Sequence, residues 1–140
     1  MERASRHFTS DLEQLAEIRT FVREHCQKIW PGPAAAEGLA KLELAVSEAA
    51  TNIMLHAYER QPGQPIDVLV EGDEGQIIIT MYHQGCAFEP ESVAPPAFDG
   101  SRETGFGVYL IQESVDEVAY LHDGENQSGI RMIKRRKHSR

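Results

Sequence analysis

Two long stretches of the chain carry apolar residues at helical spacing, and four shorter ones carry them in strand-like runs. Between residues 12 and 29, Leu12, Leu15, Ile18, Val22 and Ile29 recur every three to seven positions, which predicts a helix. Ser10 or Asp11 is placed to cap its start, and WPGP at residues 30–33 stops it before Pro31. SRHFTS at residues 5–10 reads as a short first strand. A second helix is expected from residue 34 to residue 59, ended by QPGQP at residues 61–65. Advancing about 100° per residue from Leu42 places Ala45, Val46, Ala49, Ile53 and Ala57 within roughly 60° of it, an apolar stripe. Glu48, Asn52 and His56 form a separate row at its margin. The row drifts toward the core, so His56 is predicted to be the most buried of the three.

IDVLVEG (residues 66–72) and QIIITMYH (residues 76–83) read as strands, with DEG between them as a hairpin turn. Gly85, Pro90, Pro95, Pro96 and Gly100 mark residues 84–104 as a loop. GFGVYLIQESV (residues 105–115) reads as a glycine turn entering a short helix. DEVAYLH and GIRMIKR form a last hairpin around residues 123–128. The order β-α-α-β-β-loop-α-β-β predicts an α+β two-layer sandwich, with about three helices covering one face of a mostly antiparallel mixed sheet.

The 140 residues fit one domain, and a hydrophobic fraction of 41% supports a core without disulfides or metals. Residues 1–133 are expected to form it, with 134–140 as a basic, solvated tail. The net charge of −8 conceals an asymmetry: residues 1–133 hold 9 basic and 22 acidic residues, a balance of −13. Such a body disfavours direct nucleic-acid binding and suits a basic protein surface. No apolar run is long enough to span a bilayer, and MERASRHFTS has no signal-peptide core. Cys26 and Cys86 make no disulfide framework or zinc cluster, so a reducing cytoplasm is the default expectation.

A carboxylate one helical turn from a carboxamide can divide two tasks. Glu48 can accept a proton, and the amide oxygen of Asn52 can ligate a hard cation such as Mg²⁺. Glu and Asn at this spacing also occur on ordinary solvated helices, so the pair alone is weak. GFG at residues 105–107 adds to it. Glycines at a helix start let backbone N–H groups approach a phosphate, with Thr104 supplying a hydroxyl and Arg102 a cation. The plain alternative is a tight turn. Trp30 is expected to plug the base of the first helices, and Cys86 to be inert.

Taken in order, these segments resemble the Bergerat-fold ATPases. LAVSEAATNIMLHAYE (residues 44–59) is similar to their N-box, and TGFGVYLIQESVDEVAY (residues 104–120) to their second glycine box. The nearest likeness is to the small anti-sigma factor serine/threonine kinases, and it extends through HFTSDLEQLAEIRTFVREHC and GIRMIKR. The resemblance implies ATP and Mg²⁺ as cofactors, Glu48 as the catalytic base, Asn52 as the metal ligand, and phosphate contacts around Gly105, Phe106 and Gly107. Residues 91–103 correspond to the lid over the nucleotide. It also implies protein partners, a sigma factor and/or an anti-sigma antagonist carrying the target hydroxyl, no membrane association, and a homodimer as one assembly.

The first glycine box departs from the family pattern. In HQGCAFEPE (residues 83–91), Gly85 and Phe88 are kept, His83 stands where the family has Asp, and Ala87 where it has the second Gly. Losing the charge-assisted bond to the adenine amino group removes about 1.5–3 kcal/mol, roughly a 10- to 100-fold loss of affinity. Neutral His can still accept through one ring nitrogen; protonated His can only donate. Three readings stay open: a kinase with weakened ATP binding, a protein preferring another nucleotide such as GTP, or a nucleotide-independent partner-switching module. A sensor histidine kinase role is expected to fit less well, since the sequence shows no phosphoacceptor helix pair.

Overall fold

The computed structural model describes residues 1–84, 106–123 and 127–136. Strand β1 (Glu2–Thr9) leads into helix α1 (Gln14–Ile29). A 3₁₀ turn (Pro33–Ala35) opens α2 (Ala36–Asn52), which continues as one π turn (Ile53–Ala57). Then follow β2 (Pro65–Gly72), β3 (Gln76–His83), α3 (Phe106–Ser114), β4 (Glu117–Asp123) and β5 (Gln127–Arg135). The strands form one sheet in the order β1-β2-β3-β5-β4, and every described pairing is antiparallel. The α+β sandwich stands as expected, and the parallel component of a mixed sheet is absent from the described strands. No described helix is long and apolar enough to cross a membrane.

Alternation in the strands decides which face is covered. Ile66, Val68 and Val70 of β2, Ile77, Ile79 and Met81 of β3, and Ile130 and Met132 of β5 are buried in one cluster with the helices. The helices contribute Ile18, Val22 and Cys26 from α1 and Leu42, Ala45, Val46, Ala49 and Ile53 from the long helix. Each fully buried Ile, Leu or Met contributes roughly 1.5–3 kcal/mol as an upper estimate. The predicted stripe is buried through Ile53 with the 3.6-residue period of an α-helix, and Ala57, in the π turn, is buried as well.

Three local features depart from expectation. Neither Ser10 nor Asp11 caps α1. The Ser10 hydroxyl donates to Gln61 O (2.6 Å), and the Asp11 carboxylate accepts from the Thr9 hydroxyl (2.5 Å) and from Gly63 N–H (3.2 Å), tying the end of β1 to the turn before β2. α1 therefore starts later, and Leu12 is exposed. The first of the basic residues 134–140 are not tail: Lys134 and Arg135 belong to β5, and Arg136 N–H donates to Gly75 O at 2.9 Å. Lys134 faces the core, and its ammonium donates to Ser114 O at the end of α3 (3.2 Å). A cation at a helix C-terminus is favourable to the helix dipole. At the far end, the buried Trp30 donates its indole N–H to Asp73 O (2.8 Å) in the β2–β3 turn.

Candidate functional site

Helix α2 sets the first two functional side chains. Glu48 and Asn52 lie one turn apart on its margin, both half-buried. α3 starts directly against them. A Cβ placed on Gly107 would lie 3.0 Å from a Glu48 carboxylate oxygen and 3.3 Å from the Asn52 amide oxygen. The second residue of α3 thus has no room for a side chain unless the carboxylate or the amide moves, and glycine's backbone closes on both polar groups. Phe106 precedes it, half-buried. The sequence places these residues together only through the fold, because 55 positions separate Asn52 from Gly107.

The Asn52 carboxamide has one further property. Its Nδ2 is buried, with no hydrogen-bond partner among the described residues. Leaving such a group unpaired costs about 1–3 kcal/mol, and an unpaired polar atom in a folded protein asks for an explanation. An acceptor oxygen, such as one of a phosphate, would satisfy this donor. The donor set fits Mg²⁺ with phosphates: one amide oxygen, an adjacent carboxylate and a helix N-terminus. Mg²⁺ is ordinarily held by one or two protein ligands and phosphate oxygens rather than by a protein cage. Among the described residues, no three His, Cys, Asp or Glu side chains are grouped so as to hold a metal ion.

His56 does not continue the row inward: it is exposed. The helix turns from α to π geometry at Ile53, and Tyr58 N–H reaches Ile53 O (2.9 Å), five residues back. More residues then fit in each turn, so the four-residue spacing that aligns Glu48 with Asn52 no longer aligns His56 with them. The same change buries Tyr58. Its phenol donates to Pro65 O (2.6 Å) and accepts from Gln84 N–H (2.7 Å), clamping the start of β2 to the end of β3. Burial raises the Tyr58 pKa above its usual 10.0, against the opposing effect of the Gln84 N–H.

His83 ends β3 on the inner face of the sheet, 4% exposed, opposite Ile66 on β2 and Ser128 on β5. Its ring meets Tyr58 edge-on, with centroids 5.9 Å apart. Its Nδ1 lies 2.9 Å from Gln84 O. Burial lowers its pKa from the usual 6.5, and the Gln84 bond opposes that in part. A small recess of about 10 Å³ separates α2 from the sheet here, lined by Ala49, Asn52, Ile53, His83, Tyr120, Gly129 and Ile130. That volume holds about one water-sized group. Asn52 and His83, far apart in sequence, therefore share one recess. Gly85, Ala87, Arg102, Thr104 and Gly105 lie outside the described residues, as do Cys86 and the lid segment.

Sequence reasoning missed Tyr58, Tyr120 and Gly129. Gly129 carried a signal: a glycine inside a strand often marks close backbone approach. A Cβ there would stand 2.5 Å from Met81 O on β3. Tyr58 and Tyr120 carried none. Cys26 is buried, and burial raises its thiol pKa to about 12, so it is inert as a nucleophile.

Residues 8–134 match the model of the histidine kinase-like ATPase domain. Over 98 residues the chain is 29% identical to the serine-protein kinase RsbW of Bacillus thuringiensis (strain Al Hakam). The same identity holds for the proteins of that name from Bacillus cereus (strain AH820) and Bacillus anthracis (strain A0248). The matched stretch covers 64% of this chain, and the chain spans 60% of the length of these curated relatives.

Proposed function

The chain belongs to the histidine kinase-like ATPase domain family, and from that premise we propose that it is an ATP-dependent protein serine/threonine kinase of the anti-sigma-factor type. The observation that carries the reading is the seating of Gly107 against both the Glu48 carboxylate and the Asn52 carboxamide, whose Nδ2 is buried without a partner. Three elements of one site, two on α2 and one at the start of α3, meet within a few ångströms. Relatives named serine-protein kinase support the reaction class.

In this reading Glu48 orients the hydroxyl of a partner's serine or threonine and accepts its proton as the oxygen bonds to the γ-phosphorus. ADP leaves with the bridging oxygen. Asn52 would hold Mg²⁺ through its amide oxygen, and the ion when bound would neutralise phosphate charge. The amides at the start of α3, at Phe106 and Gly107, would receive the phosphates with the favourable end of the helix dipole, and the resemblance adds Gly105, outside the described residues. Arg102, Thr104, Gly85 and Ala87, which lie outside the described residues, are the further cofactor-binding residues that the resemblance implies. The partners are proteins, a sigma factor and/or its antagonist, consistent with the −8 net charge.

The recess beside His83 favours a second reading. Its lining carries His83 where the family pattern has a carboxylate, which suits a partner-switching module that has given up nucleotide. Calorimetric titration with ATP, with and without Mg²⁺, separates the two. Saturable Mg-dependent binding supports the kinase; a folded protein that binds no nucleotide leaves the module. Given binding, Glu48→Gln is expected to abolish phosphoryl transfer while leaving ATP affinity within about twofold, because the amide keeps the shape and loses the base. Transfer at an undiminished rate removes Glu48 from that role.

A further inference from the structure

At the other end of α2 from Asn52, roughly 21 Å away along the helix axis, lies a groove of about 890 Å³. That is within the size range of ligand pockets. It forms where the end of β5, paired with the start of β3, meets the end of α1 and the first turn of α2. Ile29, Trp30, Pro31 and Ala34 give it an apolar side, and Lys41, Lys134, Arg135 and Arg136 bring four cations to it. Two of the four are compensated. Lys41 Nζ lies 3.6 Å from a Glu37 carboxylate oxygen, and Arg135 pairs with Glu117. Lys134 and Arg136 have no carboxylate in ion-pair contact among the described residues.

Lys134 is the anomaly. It is only 9% exposed. Its ammonium carries three donors, and Ser114 O takes one of them (3.2 Å). A buried charge is costly unless it is paired as well as hydrogen-bonded, so what the site lacks is an anion. Arg136 stands over the Trp30 ring, 5.8 Å from its centroid, a contact that positions the guanidinium without neutralising it. α2 adds the positive end of its dipole, because its N-cap is Ala35, which makes no side-chain hydrogen bond to the first N–H groups.

Spacing decides the form of the anion. Lys134 and Arg136 are two positions apart along β5 and its continuation, so they stand on one face about 7 Å apart. An extended peptide repeats its side chains at the same interval, and carboxylates at alternate positions meet both cations at once. Glu37 and Glu74, also on the lining, repel a dense polyanion and admit carboxylates separated by neutral residues. We propose that this groove is a docking site for an extended acidic segment of a protein partner, with carboxylates at alternate positions received by Lys134 and Arg136. The site is separate from the one built on Glu48 and Asn52, and docking there needs no nucleotide.

The test is calorimetric titration of the full chain with the end-capped peptide Ala-Glu-Ala-Glu-Ala and with its counterpart Ala-Gln-Ala-Gln-Ala. Trp30, the single tryptophan, reports on the groove wall by fluorescence. The net charge of −8 opposes non-specific attraction of an acidic peptide. The glutamate peptide is expected to saturate, to shift the Trp30 emission, and to bind at least about 10-fold more tightly than the glutamine peptide. Mg-ATP should change its affinity by less than about twofold. Lys134→Met keeps the stem, removes the charge and is expected to weaken the glutamate peptide at least about 10-fold, whereas Arg6→Gln, outside the groove, should change it by less than about twofold. Equal affinity for the two peptides, no saturable binding of the glutamate peptide, displacement by Mg-ATP, or full affinity in Lys134→Met each overturns the proposal. Inorganic phosphate that displaces the peptide at equal concentration overturns it as well, leaving an ion site. If Lys134→Met does not fold, Gly38→Glu takes its place. A Cβ on Gly38 would meet Lys134 Cε and the Trp30 ring at 3.9 Å, an ordinary contact, so the added carboxylate occupies the partner's position. A loss of at least about 10-fold is expected, and undiminished peptide binding overturns the proposal.

Discussion

Gly107 is the position where one atom decides most. Its absent Cβ leaves the space in which the Glu48 carboxylate and the Asn52 amide sit, at 3.0 and 3.3 Å from where that atom would be. Gly107→Ala forces the ends of two side chains aside rather than any backbone, so the fold tolerates it. The chemistry does not, because misplacing a reacting group by about 1 Å can cost 10²-fold. Phosphoryl transfer is expected to fall on the order of 10- to 100-fold with little change in thermal midpoint, checked by single-turnover kinetics beside a melting curve. A melting point that falls in step with activity would instead make Gly107 a packing residue. His83 gives a second residue-scale expectation. Its pKa in the fold lies below the 6.5 of an exposed histidine, chiefly through burial. On acidification the unfolded chain therefore takes up this proton first, and stability falls as pH drops from about 6.5 toward the lowered folded value. The contribution is fully present above pH 6.5. Urea midpoints measured from pH 7.5 downward should decline less in His83→Leu than in the native protein, and parallel curves would deny the linkage.

At the scale of elements, the π turn at Ile53–Ala57 separates what the sequence revealed from what it hid. The apolar stripe through Leu42, Val46, Ala49 and Ile53 was legible because its period is that of an α-helix, and all four are buried. The inward drift assigned to His56 extended that period one turn too far. Nothing local announces a π turn, since it is decided by where Tyr58 must go. Likewise Ser10 and Asp11 look like caps, but tertiary partners at Gln61 and Gly63 claim their oxygens. Of the site, Glu48 and Asn52 were legible from spacing and Gly107 from its GFG context, while the recess joining Asn52 to His83 exists only once α2 crosses β3 and β5. Tyr58→Phe tests the clamp this geometry makes. Removing one oxygen leaves Pro65 O and Gln84 N–H without their partner. A loss of about 1–3 kcal/mol is expected, with hydrogen exchange quickening first at the β2 and β3 ends. Unchanged exchange there would show that solvent satisfies both groups.

Across the whole molecule, one core joins the helical layer to the sheet, and the site occupies one end of it. The only tryptophan sits elsewhere: Trp30 is 2% exposed and tied to the β2–β3 turn, near the opposite end of β3 from His83. Between them along β3 runs Ile77, Ile79 and Met81, all fully buried. A continuous core of this kind predicts that both ends unfold together. Trp30 fluorescence and far-UV circular dichroism should give one urea transition with one midpoint. Met81→Ala cuts into the strand between the two ends, and truncating a buried methionine ordinarily costs about 2–5 kcal/mol. The variant should shift both probes by the same amount, although the substitution lies nearer the site than the tryptophan. If the fluorescence midpoint stays fixed while the dichroism moves, the two ends are separate cooperative units, and the site can open while the Trp30 end stays folded. That outcome would matter for function, because a site that opens on its own can exchange ligand without unfolding the molecule.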